Sequence, residues 1–346
     1  MRQKRVELKT TVISTRMRLA RNLQAYPFPI KQQTWQAEEV VILVRNALAR
    51  LDSGWKEYDV RAVGKAQAML LQEQHLISPA LVAGAGRSRG TAFVSSDGEV
   101  SVMVNEEDHL REQYIVSGCR LFDAYERVSS LDDGLGGFLH FAYDKKLGFL
   151  TSCPSNVGTG LRASVMMFLP GLERCNGIRA LVDKWSDCGL TVRGMFGEGT
   201  AAEGYRYQIS NDKTLGLSET EILGYMEKAT EEIAVAEQAE RKKMLAEEGY
   251  RLKDECLRAY GVLTNCGFLR FKEMMDMLTQ VKLGVALGFF KLTDDEPYAL
   301  DLFIDDMRPY SFCVEHDLFG ASEAECDAHR ATVMRRVLPR LVLRTD

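Results

Sequence analysis

Gly-Phe-Leu-Thr-Ser-Cys-Pro-Ser-Asn-Val-Gly-Thr-Gly-Leu-Arg-Ala-Ser-Val-Met-Met-Phe-Leu-Pro, residues 148–170, is the most informative stretch of the chain. A thiol at Cys153 is followed by Pro154, Asn156, a Gly158-Thr159-Gly160 turn and Arg162, which opens an apolar run. Such a turn can free backbone N–H groups for a ligand, and Arg162 adds a permanent cation beside them. The physics of the stretch points to an anion site next to a thiol.

Around it, short alternating or apolar segments bounded by Gly, Asn, Asp and Pro read as strands at 91–95, 100–104, 148–151, 190–193 and 205–209. Helical patterns occupy 34–51, 109–124 and 164–168. An antiparallel β-sheet flanked by helices, an α+β architecture, is expected over residues 5–224. The character changes near Ser218, after which Glu, Lys and Ala dominate and proline is absent as far as Tyr260. Ser218 with Glu221 forms a capping box, and Ile222, Tyr225 and Met226 recur at helical spacing. Gly249 is the expected break between two helices. Further helical patterns cover 271–287 and run from Ser322 to the C-terminus, so residues 225–346 are expected to form a helical C-terminal domain.

At 346 residues the chain has room for one large domain and a smaller one. Its 46% hydrophobic and 27% charged residues are those of an ordinary globular protein. A net charge of −5 argues against a general nucleic-acid binder. The charged N-terminus lacks the apolar core of a secretory signal and no apolar run is long enough for a bilayer, so no membrane and a cytoplasmic location are expected. The eight cysteines include no Cys-x-x-Cys pair, read as reduced thiols, and suggest no metal site.

Three further constellations carry chemistry. Ser14-Thr15-Arg16-Met17-Arg18 alternates two arginines, which a strand would project from one face, either into water or onto an anion. Asn105-Glu106-Glu107-Asp108-His109-Leu110-Arg111 places three acids before a helical pattern, where they either complement a helix N-terminus or supply a catalytic carboxylate. Val192 to Gly204 is a glycine-rich loop between strands. Gly84 to Gly90 fails the spacing of a dinucleotide loop and reads as an exposed basic loop, and no Walker A motif is present.

Together these strings resemble the guanidino (phosphagen) kinase family, over nearly the whole chain, and most closely its bacterial protein-arginine kinase branch. The resemblance implies ATP-dependent phosphorylation of arginine side chains in proteins, with Mg2+ bound through the nucleotide. It implies that Glu107 orients and deprotonates the guanidinium, that Cys153 sits against it, and that Ser14, Arg16, Arg18, His109, Arg111, Asn156 and Arg162 serve the nucleotide. The family's second carboxylate, directly after Thr200, is here Ala201, with Glu203 two residues on as the catalytic substitute. In the C-terminal extension an Arg-Asp-x-x-Arg-Ala motif docks phosphoarginine; here Asp327 and Arg330 are retained and the first arginine is Cys326. A free-guanidine kinase is the alternative enzyme reading, and the departures at Ala201 and Cys326 motivate a regulatory pseudo-kinase as the non-enzymatic one. By the same resemblance a homodimer is expected, with arginine-exposing protein substrates, a zinc-binding activator protein and a Clp-type protease as partners.

Overall fold

In a computed structural model the structure describes residues 8–84, 90–194, 203–293 and 298–345. Alternation decides the architecture. In the strand β1 (Val12–Arg21), Met17 and Leu19 are buried while Ser14, Arg16 and Arg18 point the other way, and the same two-sided pattern recurs in its neighbours. The elements that follow are α1 (Thr34–Leu51), β2 (Lys56–Asp59), α2 (Lys65–Glu73), α3 (Pro79–Ala83), β3 (Thr91–Val94), β4 (Val100–Val104) and β5 (Leu110–Ser117). Next come α4 (Leu121–Gly136), β6 (Tyr143–Asp144), β7 (Gly148–Phe149), β8 (Leu161–Phe168), α5 (Pro170–Arg174), α6 (Ile178–Ser186), β9 (Leu190–Gly194) and β10 (Arg206–Asn211). The C-terminal part holds α7 (Glu219–Leu263), α8 (Phe271–Leu287), β11 (Phe290–Leu292), α9 (Ala299–Asp306), α10 (Pro309–Glu315), α11 (Glu323–Leu341) and β12 (Val342–Arg344).

Eight strands form one antiparallel sheet in the order β2-β3-β4-β5-β1-β8-β10-β9. One face carries Met17, Leu19, Leu161, Ala163, Val165, Met167 and Ile209, which pack under α4 and the first part of α7. Val102, Val104 and Leu110 on the same face pack against α1. The opposite face carries the arginines. Among the described residues its margins are covered, by α2 and α3 over Ala92 and Met103 and by the helical C-terminal part over Phe168. Between these covers lies a polar strip of sheet.

Two segments that read as helical are strands. Residues 161–168 alternate strictly, with Leu161, Ala163, Val165 and Met167 fully buried, a period of two rather than 3.6. Residues 110–117 hide their alternation because the inward position between Leu110 and Tyr114 is a carboxylate, Glu112, fully buried. The helix begins later, at Leu121.

The expected capping box at Ser218 is formed, and the helix expected from Ser322 opens on a second capping box, with Glu325. A division at residue 225 falls inside continuous helix, however. Ile222 to Ala234 belong to the core beneath the sheet, whereas Leu252 to Leu263 belong to the helical core. The change comes at Glu248, where φ −129° and ψ 19° kink α7 beside Gly249. Ahead of the kink, Glu237 accepts from the N–H groups of Gly171 and Leu172, both at 2.9 Å, and pairs with Arg241, which donates to the Phe168 carbonyl at 2.8 Å. That buried pair ties α7 to the end of β8. Among the described residues no helix is long and apolar enough to cross a membrane.

Candidate active site

Strand register gathers the cations. Arg18 lies opposite Arg162 across β1 and β8, and opposite Gln113 across β1 and β5. Ala20 lies opposite Arg111. All of these residues share the open face, so Arg16, Arg18, Arg111 and Arg162 form one patch from three adjacent strands. Arg16 Nε donates to Gln113 at 2.7 Å. Arg111 donates to Glu106 at 2.8 Å and to Glu107 at 3.4 Å. Arg18 and Arg162 each keep a buried Nε with no partner among the described residues.

Crowding shows in the electrostatics. Burial, then Arg111 and Arg162 against the opposing pull of Glu106, takes Arg16 down to about 10. Arg18 is pushed well below the usual guanidinium range by burial and by Arg16, Arg111 and Arg162. Arg162 is lowered by burial and then by Arg193. Concentrated positive charge with unsatisfied N–H groups is a standing demand for an anion with several oxygens.

The walls come from two loops. The β4–β5 connection turns at Asn105, where φ is 58°, and delivers Glu107. The 148–160 segment delivers Cys153 and Asn156 from a short turn at 154–156. Asp108 locks the two loops together, since one carboxylate oxygen accepts from Asn22 Nδ2 and from the Ser152 N–H, both at 2.6 Å. The resulting cleft, about 410 Å³, is lined by Arg18, Glu107, Arg111, Cys153, Asn156 and Arg162 among others. Burial, then the charge of Asp108, raises the Glu107 carboxyl above its ordinary value, while Arg111 and a hydrogen bond from Cys153 act in the opposite direction. A second, wider cleft of about 1740 Å³ continues along the same face past Ser14, His75, Met166 and Arg308.

Two N–H groups of the glycine turn are used within the fold. The Gly158 N–H donates to Phe149 and the Thr159 N–H to Thr214, while the next residue, Leu161, donates its N–H to the Thr159 hydroxyl. Gly160 lines the cleft. Arg21 grips the turn from behind, donating to the Thr159 carbonyl at 2.9 Å while its guanidinium is held by Asp132 at 2.6 Å and stacks 3.5 Å from the Phe149 ring. Gly160, at φ 65°, cannot gain a Cβ, which would fall 2.5 Å from Arg21 Nη1 and 2.7 Å from the Ala20 carbonyl. The turn serves to set Arg162 at the start of β8.

His109 is not brought to the cleft. Its ring is buried, Nδ1 accepts from the Leu23 N–H at 3.0 Å, and Nε2 lies 3.0 Å from the Pro27 carbonyl; burial lowers it to about 4. It is a neutral strut behind the Glu107 loop. Asp327 and Arg330 lie in the helical part, buried and paired with one another, with Arg330 also donating to the Leu269 carbonyl at 3.1 Å. The Met195–Ala202 stretch of the glycine-rich loop, with Ala201, and the side chain of Glu203 lie outside the described residues, as do 85–89. Gln113, Asp108, Asn22 and Arg193 are the contributors that motif reading passed over. Arg193 had a signal, because in the expected strand 190–193 it is one more arginine at an alternating position.

Comparison with known proteins places this geometry. Residues 38–240 match the ATP:guanido phosphotransferase C-terminal catalytic domain, and residues 249–342 match the protein-arginine kinase McsB C-terminal domain. A protein-arginine kinase of Caldanaerobacter subterraneus subsp. tengcongensis is 38% identical over 305 residues, covering 87% of this chain and 89% of that relative. One from Moorella thermoacetica is 36% identical over 334 residues, 94% of this chain and 93% of the relative. Among solved structures, a lombricine kinase superposes with a TM-score of 0.60 at 26% identity, covering 67% of each chain. The duplicated taurocyamine kinase of Schistosoma mansoni with bound transition state analog components gives 0.59 at 28% identity, over 66% of this chain and 33% of that one.

Proposed function

The chain belongs to the ATP:guanido phosphotransferase family, and from that membership and its arginine-lined cleft we propose that it phosphorylates arginine side chains in proteins, using ATP. The observation that carries the reading is the pairing of Arg18 with Arg162, each without a partner at Nε among the described residues, beside the Glu107 carboxylate and the Cys153 thiol in one cleft. Two orphaned buried donors fit the oxygens of a phosphate chain. The similarity to protein-arginine kinases along both halves of the chain supports a protein-borne arginine as acceptor.

A guanidinium keeps its proton at physiological pH, with a pKa above about 12. For its nitrogen to attack the γ-phosphorus it must be held in line and give up a proton as the N–P bond forms. Glu107 pairs with the guanidinium and takes that proton; a carboxylate whose pKa is raised is a better base near neutral pH. The bond from phosphorus to the β–γ bridging oxygen breaks, and ADP leaves with the electron pair. Transfer passes through a loose transition state in which positioning and charge stabilisation dominate. Arg16, Arg18, Arg111 and Arg162 supply that charge, and Cys153 and Asn156 border the acceptor. Mg2+ carried on the nucleotide would neutralise charge between the phosphates and needs no protein cage. Ser14, in the wider cleft, faces the nucleoside end.

The same reading extends to a cytoplasmic homodimer, with an activator protein and a Clp-type protease as partners, and to phosphoarginine docking at Asp327 and Arg330. Docking there would require the buried ion pair between them to open. The test is chemical: with ATP, Mg2+ and an arginine-rich unfolded protein, the label transferred from γ-phosphate should be acid-labile, and absent with Glu107→Gln. Acid-stable label would assign hydroxyl phosphorylation and refute the reading.

A further inference from the structure

The helical part holds a second cluster of donor side chains, away from the cleft. Cys313 and His316 lie three apart at the C-terminal end of α10, and Cys326 and His329 lie three apart in the first turns of α11. Residues three apart on a helix are neighbours on one face, so each helix offers a thiol beside an imidazole. The fold then matches like with like. The Cys313 thiol lies within hydrogen-bonding reach of the Cys326 thiol, and the His316 and His329 rings meet at 4.9 Å between centroids. Phe312 packs on both rings, at 4.5 and 5.8 Å. All four donors are half-buried, shielded from bulk water yet reachable by a small ion. Read along the chain, two Cys-x-x-His pairs lack the familiar paired-cysteine signature; their meaning comes from the packing of α10 on α11.

We propose that Cys313, His316, Cys326 and His329 form a two-cysteine, two-histidine site for a divalent transition metal of the Zn2+ class, clamping α10 to α11. Two sulfurs and two nitrogens are the donor set that Zn2+ takes in closed tetrahedral sites. In this structure the donors stand as two touching pairs, and among the described residues no three are gathered closely enough to hold an ion. Gathering the four around one ion, at metal–ligand distances of about 2.0–2.3 Å, requires side-chain rotation within the facing pairs.

The placement gives the clamp a consequence. Cys326 adjoins Asp327, and α10 is capped from the catalytic half by Glu73, which accepts from the N–H groups of Tyr310 and Ser311, both at 2.9 Å. A metal here would fix the helix pair that connects the Asp327–Arg330 ion pair to the sheet domain.

The test uses the full chain, reduced and stripped of metal with a chelator, then titrated with Zn2+ and with Co2+. One equivalent per chain is expected, the Co2+ form should show tetrahedral thiolate-ligated absorption, and X-ray absorption of the zinc form should give sulfur and nitrogen neighbours in equal number. Cys326→Ser and His329→Gln should each weaken Zn2+ binding by at least the roughly 10–100-fold that loss of a residue merely supporting a ligand costs, while Cys188→Ser leaves it unchanged. The spectra of the unmutated chain keep the test independent of how the variants fold. A zinc form without sulfur neighbours, or affinity unchanged in both variants, overturns the proposal. So does a reduced chain that takes up no zinc and instead forms a Cys313–Cys326 disulfide with a disulfide oxidant, which would make the pair a redox couple.

Discussion

Arg18 and Arg162 stand directly opposite one another on adjacent antiparallel strands, each with a buried Nε that has no partner among the described residues. Like charges in opposed positions destabilise a sheet by roughly 0.2–1 kcal/mol. The arrangement is therefore a cost to the free protein that a bound polyanion removes, and it marks where stability and function pull apart.

Arg18→Gln and Arg162→Gln should each make the ligand-free protein more stable, by up to about 2–4 °C, and weaken ADP–Mg2+ binding together with turnover. Thermal unfolding with and without ADP–Mg2+ reads both effects at once. A variant that is less stable alone, yet keeps the full ligand-induced rise, would remove the paired arginines from the phosphate site.

Glu107→Gln should lower turnover by the roughly 10²–10⁴-fold typical of a lost general base and leave nucleotide affinity nearly intact. Because Glu107 must be ionised to accept the proton, and its pKa is raised by burial and by Asp108, kcat/KM should fall with decreasing pH at a value above the ordinary glutamate pKa of about 4.3. Initial rates across the acid range check this; an acid limb identical in the Gln variant would assign the base elsewhere.

Asp108 acts through others. Asp108→Ala would leave the buried donors of Asn22 and Ser152 unsatisfied, costing about 1–3 kcal/mol, and would loosen the Cys153 loop against Glu107. Turnover should drop with little change in ADP affinity, and Asp108→Asn, which keeps an acceptor oxygen, should recover most of it. If the Asn variant is as impaired as Ala, charge rather than positioning is what the residue supplies.

Glu112 sits fully buried on the opposite face, where burial and then the charge of Asp132 raise its pKa well above the ordinary range. The folded chain therefore holds a proton that the unfolded chain releases above about pH 4.3. By linkage this contribution to stability is full below that pH and is lost as pH rises toward the folded pKa. Glu112→Gln cannot titrate, so its unfolding free energy in urea should gain on that of the wild type between pH 5 and pH 8. A constant difference across that range would show that Glu112 is ionised in the folded protein.

How much of this was legible in the sequence follows the physics of each signal. The alternation of Arg16 and Arg18 was readable because period two is local, and the capping box at Ser218 was readable because it is complete within four residues. Residues 110–117 misled because the buried Glu112 looks like a surface position, and its tolerance depends on Arg21 and Asp132 from distant parts of the chain. The glycine turn was rightly singled out, but only the fold reveals that Phe149 and Thr214 consume the N–H groups of Gly158 and Thr159. His109 carried the right residue type for a nucleotide pocket, and only burial shows it facing Pro27 instead. The facing Cys-x-x-His pairs acquire meaning only when α10 packs on α11.

The central claim is that the phosphoryl acceptor is an arginine side chain in a protein. The most direct measurement offers the purified protein ATP and Mg2+ with equal concentrations of free arginine and of arginine residues in an unfolded protein, and identifies products by mass spectrometry at neutral pH, where the N–P bond survives. Phosphoarginine on the protein, in excess over free phosphoarginine and lost with Glu107→Gln, is the expected result. Phosphorylation of free arginine alone would make the chain a metabolite kinase, and transfer to neither acceptor would contradict the account outright.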